Sequence, residues 1–486
     1  MKNSMKGLRS MKNIFGLVLV ASILMLPSCE IPTDLNDNPN EITLQDPAPS
    51  LFLNGAQLAN IMIQNSHLNR ITGMFSGQLV GYTSLYSNIY GYSLSTVESN
   101  DEWNGCYTGV LTQVRYIREA AADDKLLNGI AKVLEAHAVG TMAMLMGDVP
   151  YSEVLTDVED PKFDSQVSVL NAVSSLLDGA ITDLGNAGSP TALLESYDLY
   201  YAGDKDKWLA AAYTLKARYA LLQSDYSAAL SAATNGISSS AGDMNFIPRG
   251  DAATADGDKN LFNEIISGSR TGDLGNNGSF LLEILNDSTA NYRGNDKTNE
   301  TARHNYYKID ETSGEGNLGV IERFEPMPMV TYFENQLIKA EAAARTSGFS
   351  EGLSHLNDYR SWLASGGRLN ATFNDSASMM YEGYDASDFD SGGMENSDGV
   401  SAETALLREI IEERYVSGFG TYMPFNDHRR LRGDSETDLI VPFPLNTTAA
   451  EADGHVERLP YAQDELTSNS TVDDDPGLYE KTEVNQ

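Results

Sequence analysis

Cysteine is nearly absent from this sequence. Two occur in 486 residues, Cys29 and Cys106. Cys29 lies close to the start, directly after an apolar run, so the rest of the chain has a single cysteine and cannot form a disulfide framework. A chain of this length can bury a large hydrophobic core, and that core must hold the fold without covalent cross-links.

Basic residues are also scarce. The chain has 33 Lys and Arg against 69 Asp and Glu, which gives a formal net charge of −36 at pH 7. Nucleic-acid binding needs a basic surface, so we expect no nucleic-acid partner. A charge of this sign favours solubility and repels polyanions at long range.

One apolar run stands at the start of the chain. Residues 14–27 read IFGLVLVASILMLP, which is shorter than the roughly 20 residues that span a membrane. Four basic residues and no acidic ones precede it, an arrangement typical of a secretory signal peptide. The sequence LPSC at 26–29 resembles the lipobox of bacterial lipoproteins, which predicts cleavage after Ser28 and lipidation of Cys29. The alternative is an ordinary secreted protein with an incidental cysteine.

Composition divides the chain into three parts. Residues 1–28 form the predicted signal peptide. Residues 29–49 are rich in Asp, Asn, Pro and Thr and cannot bury a core, so they are predicted to be an extended tether behind a lipidated Cys29. Residues 50–486 are predicted to fold as a single, mostly α-helical domain that lies on a membrane without crossing it.

Helical periodicity dominates that domain. In residues 165–184, Leu170, Val173 and Leu177 fall at helical spacing, and Ser165 is a suitable N-cap. Long polar loops rich in Gly, Asn, Asp and Ser fill 239–329 and 366–400, and short strands are predicted at 319–324 and 438–443. Further helices are predicted near 51–65, 98–121, 127–146, 206–222, 226–238, 330–346 and 402–416.

Two helix pairs carry a repeat signature. In residues 206–237, small residues at Ala217, Ala229 and Gly236 are spaced as in a tetratricopeptide repeat, although Lys216 stands where leucine is preferred. A second pair, from Ile338 to Arg360, repeats part of the pattern. These pairs predict a tetratricopeptide-like helical solenoid, with two ordinary alanine-rich hairpins as the alternative.

Several segments, in order, resemble the SusD/RagB family of outer-membrane lipoproteins. After the lipobox come DLNDNPNE (34–41), GDVPY (147–151) and the first helix pair. QLIKAEAAAR (336–345) is similar to a late helix of the family, FNDHRR (425–430) to its F-x-D-x-R-R motif, and RLPYAQDELTSN (458–469) to its C-terminal segment. The sequence is most similar to the SusD-like subgroup of the family. Residues 239–325, in the middle of the chain, match the family least.

The resemblance implies a fold, a location and a partner. Family members are mostly helical, with four tetratricopeptide-like units, and are lipid-anchored on the outer membrane, facing outward, in Bacteroidota. They act as lids on a SusC-like TonB-dependent transporter, capture oligosaccharides or, in some members, peptides, and catalyse no reaction. The family also implies that helices around 127–146, 206–238 and 330–360 face the transporter.

Catalytic and metal-binding motifs are weak. HExxH, GxSxG and the P-loop pattern are absent from the sequence, and GEGNLG at 314–319 lies in a polar loop rather than between a strand and a helix. Cys106 is interpreted as a small buried hydrophobic residue. No cofactor is expected. DASDFDSGG at 385–393 and DGDKN at 256–260 leave structural calcium open, with a solvated acidic loop as the favoured alternative.

The aromatic segment GYTSLYSNIYGYSLS at 81–95 is the leading ligand-site candidate. Tyr82, Tyr86, Tyr90 and Tyr92 offer stacking faces with polar tips, and Ser, Thr, Asn and Gly fill the gaps as in an exposed loop. The alternative is a core stripe, because positions 82, 86 and 90 share one face of a helix.

Further ligand candidates lie in other polar stretches. Tyr292 and Arg293 are predicted as outer ligand contacts. Trp362 beside Arg360 is another candidate, which a helix end explains equally well. Trp103 and Tyr107, one turn apart on a helix, are expected in the core.

Three functions compete on the sequence: capture of oligosaccharides, capture of peptides on the same scaffold, as in the RagB branch, and hydrolysis at a site without a recognisable motif. The sugar, its linkages and its chain length have no signature in the sequence.

Overall fold

Helices make up most of the secondary structure, as the periodicity predicts. The computed structural model describes residues 48–251, 257–312, 316–433, 437–472 and 474–486, so the predicted signal peptide, Cys29 and almost the whole tether lie outside the described residues. The helices are α1 (Leu51–Asn65), α2 (His67–Phe75), α3 (Ser84–Tyr90), α4 (Asn100–Asn104), α5 (Thr112–Ala120), α6 (Lys125–Met146), α7 (Gln166–Gly185), α8 (Ala192–Tyr197), α9 (Lys205–Leu222), α10 (Tyr226–Ala233), α11 (Leu261–Glu264), α12 (Phe280–Leu285), α13 (Thr301–Tyr307), α14 (Tyr332–Thr346), α15 (Phe349–Ala364), α16 (Ala402–Ser417), α17 (Met423–Gly433) and α18 (Gln463–Ser468).

Polar side chains cap the N-termini of many of these helices. The Ser165 hydroxyl accepts a hydrogen bond from the backbone N–H of Ser168 at 3.3 Å, which confirms it as the N-cap of α7. Asp124, Asp204 and Ser401 cap α6, α9 and α16 in the same way. Each such cap stabilises its helix by about 1 kcal/mol. The helix predicted near 98–121 is interrupted by a π-helical segment, Gly105–Leu111, which a pattern of 3.6-residue period does not reveal.

Strands are short and form antiparallel pairs: β1 (Val80–Gly81) with β5 (Leu274–Gly275), β2 (Val149–Pro150) with β3 (Phe163–Asp164), β4 (Met244–Phe246) with β7 (Met327–Val330), and β6 (Thr298–Asn299) with β8 (Met380–Tyr381). In the β4–β7 pair, Met244 lies opposite Val330 and Phe246 opposite Met327.

The two predicted strands are wrong. Residues 319–324 form turns, and residues 438–443 form the end of a 3₁₀ turn and irregular chain. Most strands pair with a segment far away in the sequence, so partner availability rather than local β propensity decides where they form.

The first predicted repeat is a pair of closely packed helices, α9 and α10. Ala217 and Ala229 are fully buried between them. A Cβ added to Gly236 would lie 2.3 Å from Oδ1 of Asn335, so only glycine permits this approach. Asn335 on α14 donates from Nδ2 to the carbonyl oxygens of Ala233 and Ile237, at 2.9 and 3.1 Å, and so joins the first pair to the second.

The second pair, α14 and α15, packs in the same manner. A Cβ on Gly352 would lie 2.5 Å from Cβ of Ala344. Tyr359, at the third small position of the repeat, is buried, and its hydroxyl lies 2.5 Å from Oγ of Ser417. Lys216, the departure from the first repeat, extends to the surface and forms an ion pair with Asp178 on α7. The tetratricopeptide-like, mostly helical fold is confirmed.

Helix α6 runs through the centre of the core. Nearly all of its residues from Leu126 to Met146 are buried, and α7 and α9 pack beside it. Cys106 is also fully buried, and burial raises the pKa of its thiol, which agrees with its interpretation as a small hydrophobic residue. Residues Pro49–Gln486 form one compact unit.

Helix α7 is, among the described residues, the helix that is long and apolar enough to cross a membrane by length and composition. One face of α7 packs on the core, through Val169, Leu170 and Leu177, and Asp183 near its end pairs with Lys132 at 2.5 Å. These contacts are those of an amphipathic helix at the edge of a core.

The acidic segment at 385–393 binds a lysine. Asp385 and Asp388 form ion pairs with Lys297, at 3.1 and 2.7 Å. Within the described ranges, no group of three or more His, Cys, Asp or Glu side chains is placed to hold a metal ion. Residue 256, the start of the other calcium candidate, lies outside those ranges.

A buried ion cluster joins two of the motifs that carry the family resemblance. Glu341, in the centre of AEA on α14, accepts hydrogen bonds from both terminal nitrogens of Arg430 on α17, at 2.8 and 2.6 Å. Asp427 accepts from Arg430 at 2.9 Å and from Arg414 on α16 at 2.7 Å. Burial alone would raise the pKa of Glu341, but the charges of Arg430, Arg345 and Arg414 outweigh it and lower that pKa to about 2.

Glu341→Gln is expected to destabilise the fold by about 3–5 kcal/mol, because it leaves buried arginines without their carboxylate. Glu351→Gln, an exposed glutamate on α15, is the matched control and is expected to change little. Urea unfolding measures both.

The same cluster predicts a pH dependence. Because the pKa of Glu341 is lower in the folded state than its ordinary 4.5, its contribution is present above pH 4.5 and is lost as the pH falls toward 2. Glu341→Gln should lack this component of acid destabilisation. Equal stability of the parent and Glu341→Gln across this pH range would contradict the account.

Candidate functional site

The tyrosine segment at 81–95 forms a helix against the core rather than an exposed loop. Tyr86, Tyr90 and Tyr92 are 2%, 8% and 6% exposed. Helix α3 turns Tyr86 and Tyr90 inward and Ser87 and Asn88 outward. This placement favours the core alternative for these three residues, and the polar residues between them are the outer face of an amphipathic helix.

The contacts of these tyrosines are structural. The Tyr86 hydroxyl accepts a hydrogen bond from Nε of Arg70 at 3.0 Å. The Tyr92 ring meets Phe75 edge to face, with centroids 5.4 Å apart, and its hydroxyl accepts from the backbone N–H of Asn446 at 3.3 Å. Burial raises the pKa of both Tyr90 and Tyr92. The segment therefore anchors the 446 region to α2 and α3.

Tyr82 differs from the other three because it is partly exposed. Its ring lies over Gly275, where an added Cβ would come within 3.1 Å of Cε2 of Tyr82, and its hydroxyl donates to the carbonyl oxygen of Asn277 at 3.0 Å. A ligand contact at Tyr82 stays a prediction.

Arg293 is enclosed by carboxylates. Its side chain is 3% exposed and forms ion pairs with Glu300, Glu409, Glu412 and Glu413. Burial by itself would lower the pKa of Arg293, but these four charges raise it well above its usual value. The hydroxyl of the neighbouring Tyr292 accepts from the backbone N–H of Glu300 at 3.2 Å. These contacts favour a structural role for both residues.

A cleft with more suitable chemistry lies at the C-terminal end of α15. We call it the Trp362 cleft. It has a volume of about 190 Å³ and lies among β4, β7, the start of α14, and the loop after α15. Its lining includes Asp243, Asn245, Glu325, Phe333, Trp362 and Arg368.

Trp362 supplies the aromatic surface of this cleft. It is half-buried, and its ring is supported by Tyr332 and Tyr359, each with its centroid 5.4 Å away. The other two tryptophans, Trp103 and Trp208, are 3% and 0% exposed. The core position expected for Trp103 is thus confirmed, and Trp362 is the tryptophan that a ligand in solution can contact.

Two acidic side chains in the lining of the cleft are held by hydrogen bonds. The Glu325 carboxylate accepts hydrogen bonds from the Tyr306 hydroxyl at 2.8 Å and from Nδ2 of Asn370 at 2.9 Å. Asp243 accepts from the backbone N–H of Tyr332 at 2.6 Å. Burial raises the pKa of Asp243 to about 7, so at neutral pH its carboxyl group can both donate and accept hydrogen bonds.

Arg368 completes the polar lining. Its Nη1 donates to the carbonyl oxygens of Ser417 and Phe419, at 3.1 and 2.7 Å, and the guanidinium lies 5.6 Å from the centroid of the Phe333 ring. These contacts hold the guanidinium in place before a ligand arrives. One flat ring beside acids, an amide and a fixed arginine matches a ligand with apolar faces and many hydroxyl groups.

The sequence pointed to one member of this cleft. Trp362 was a candidate together with Arg360, but Arg360 is fully buried, donates to the carbonyl oxygen of Glu382 and stacks 3.7 Å from the Tyr384 ring centroid. Asp243, Glu325 and Arg368 were missed, because each comes from a separate loop and none belongs to a local motif.

A second, larger cavity of about 440 Å³ lies nearby. We call it the polar basin. Its lining includes Lys259, Asn263, Ser267, Asn317, Leu318 and Phe324. Charged groups of both signs, amides, a hydroxyl and two apolar side chains line the same space.

Tyr86→Ala tests the placement of the tyrosine segment. The loss of a buried ring should cost about 3–5 kcal/mol of stability, as for other large-to-small core substitutions. Tyr479→Ala, at a residue that is 40% exposed, is the control and should cost little. Thermal unfolding measures both. A Tyr86→Ala protein that keeps its stability but binds oligosaccharide more weakly would support the ligand prediction instead.

The chain matches one family model over most of its length. Residues 39–421 match the model SusD-like_2, described as starch-binding and associating with the outer membrane. No curated protein matches the chain.

Solved structures with this fold span nearly all of the chain. A SusD/RagB family protein from Bacteroides thetaiotaomicron is 20% identical, with a TM-score of 0.64 over 87% of this chain and 95% of its own. A SusD homologue from Parabacteroides distasonis is 16% identical, with a TM-score of 0.65 over 91% and 98%. A chitin-binding SusD homologue from Flavobacterium johnsoniae is 14% identical, with a TM-score of 0.63 over 89% and 98%. Because the family model covers well over half of the sequence, the chain belongs to the SusD-like family.

Proposed function

We propose that this protein captures neutral oligosaccharides at the cell surface, binds them in the Trp362 cleft without altering them, and passes them to a TonB-dependent outer-membrane transporter. The observation that carries the proposal is the half-buried ring of Trp362 beside Asp243, Glu325 and Arg368. The family description as starch-binding and the chitin-binding homologue of the same fold support a glycan as the ligand.

The chemistry of a sugar fits this lining. The C–H face of a pyranose ring packs on a flat aromatic ring, and its hydroxyl groups need both donors and acceptors. Glu325 accepts, Arg368 donates, and Asp243 does either near neutral pH, because burial raises its pKa to about 7. The net charge of −36 favours neutral over anionic glycans, although salt screens exposed charges beyond roughly 10 Å.

Trp362→Ala is expected to weaken oligosaccharide binding by roughly 1 kcal/mol, about fivefold, because the stacking surface is lost. Trp362→Phe should retain part of the affinity, and Tyr479→Ala should bind as the parent does. Calorimetric titration with a panel of neutral malto- and chito-oligosaccharides measures this, with the melting temperature as the control for folding. A folded Trp362→Ala protein with parental affinity for every bound glycan would contradict the assignment.

The same titrations separate the competing functions. If short peptides bind and no oligosaccharide does, the scaffold captures peptides. If chromatography after prolonged incubation finds shortened oligosaccharides, the protein is a hydrolase. The proposal expects binding of oligosaccharides with unchanged chain length.

Lipid anchoring through Cys29 is part of the proposal. Cys29→Ala should shift the protein from the membrane fraction to the soluble fraction, because the thiol that carries the lipid is gone and a lipid chain supplies the membrane affinity. Cys106→Ala, at the buried cysteine, is the matched control and should stay with the membrane. A Cys29→Ala protein that remains membrane-bound would refute the anchor.

The two repeat pairs are proposed to contact the transporter. Helix pairs that stack into a solenoid form extended partner-binding surfaces, and Asn335 joins α9–α10 to α14–α15 in this way. The proposed surface comprises the helices around 127–146, 206–238 and 330–360. Affinity purification in mild detergent should recover a TonB-dependent transporter with the protein, and recovery of the protein alone would count against this partner.

A further inference from the structure

The Trp362 cleft is small for an oligosaccharide. Its volume of about 190 Å³ is below the roughly 300–1,000 Å³ typical of small-molecule sites. The polar basin, at about 440 Å³, is larger than the cleft, and the two together fall within that range. A chain of sugars bound at Trp362 therefore needs more surface than the cleft offers.

The two cavities are separated by one short segment of backbone. Phe324 lines the polar basin, while Glu325 and Pro326, the next two residues, line the Trp362 cleft. Because consecutive Cα atoms are 3.8 Å apart, the two cavities border the same few residues.

Hydrogen bonds hold this partition in place. Nδ2 of Asn370 donates to the Glu325 carboxylate and to the carbonyl oxygen of Leu318, each at 2.9 Å, and so ties a wall of the cleft to a wall of the basin. Nδ2 of Asn260 donates to the carbonyl oxygen of Glu325 at 3.0 Å. The relative position of the two cavities is thus built into the fold.

The lining of the basin matches the same class of ligand as the cleft. Lys259 and Glu264 form an ion pair at 2.7 Å, and Glu322 and Arg323 add one charge of each sign, so neither sign dominates the lining. The guanidinium of Arg323 lies 5.2 Å from the Phe324 ring centroid, and Leu318 is 53% exposed. Balanced charge, amides and an aromatic ring suit uncharged hydroxyl-rich rings better than ionic ligands.

We propose that the polar basin is a second subsite, which binds further sugar residues of the same neutral chain that Trp362 holds. This inference rests on the proposed function of the cleft. A second subsite makes the affinity for oligosaccharides depend on their chain length. A disaccharide occupies the cleft alone, whereas a longer oligosaccharide follows Phe324–Pro326 into the basin.

Titration of one neutral oligosaccharide series, from disaccharide to octasaccharide, tests the proposal. The parent protein should bind longer chains more tightly until the basin is filled. Phe324→Ala should bind the disaccharide as the parent does but lack this gain, so that the octasaccharide binds about threefold to tenfold more weakly. Tyr479→Ala should behave as the parent at every length.

Leu318→Ala is a second variant of the basin that tests the proposal even if Phe324→Ala fails to fold. The Leu318 side chain is exposed and can be shortened at little cost in stability. It should reduce the gain with chain length in the same direction. Equal affinity for short and long chains in the parent, or an undiminished gain in both variants, would overturn the second subsite. If the proposed function of the Trp362 cleft is wrong, the result is different: Trp362→Ala leaves disaccharide binding unchanged.

Discussion

The fold depends on a carboxylate that is buried among arginines. Glu341 lies on α14, and its charge is neutralised by Arg430 on α17 and Arg414 on α16. A buried arginine without its partner is strongly destabilising, so these three helices can pack only in the register that brings the charges together. Trp362 and Phe333 lie on α15 and α14, so the position of the candidate site follows from this constraint.

A second ionic network secures the irregular part of the chain. Arg293 and Arg303 both bind Glu300 and Glu413, which places a polar loop against α16. The loop has few apolar residues to bury, and paired charges take their place. Tyr381 on β8 donates to the same Glu300 at 2.9 Å and extends the network to the β6–β8 pair. Polar segments with few apolar residues are thus held in place by ion pairs between some of the most buried charged side chains.

Sequence reasoning worked where the structure is local or repetitive. The helix pairs, the small residues at Ala217, Ala229 and Gly352 and the cap at Ser165 depend on contacts a few residues to about 20 residues apart, and patterns of that length are visible in a sequence. The family motifs were also recognisable, but Glu341 and Arg430 turn out to bind each other rather than a ligand. These motifs therefore identify the scaffold and leave the ligand open.

The candidate site was harder to predict because no single segment contains it. Asp243, Glu325 and Trp362 meet only after β4 pairs with β7 and α15 packs on α14. In the tyrosine segment, four-residue spacing gives a buried face, and the serines and asparagines between are the outer face of α3, which favours the core alternative. Composition alone does not distinguish an exposed aromatic loop from the buried face of a helix.

Tryptophan fluorescence tests the central claim most directly, because Trp103 and Trp208 are buried and Trp362 is half-exposed in the cleft. Acrylamide should quench mainly Trp362, and a saturating neutral oligosaccharide should protect it. In Trp362→Phe the remaining fluorescence should be insensitive to the ligand. If calorimetry shows that an oligosaccharide binds while the quenching of Trp362 is unchanged, the sugar lies elsewhere and the account of the cleft is wrong.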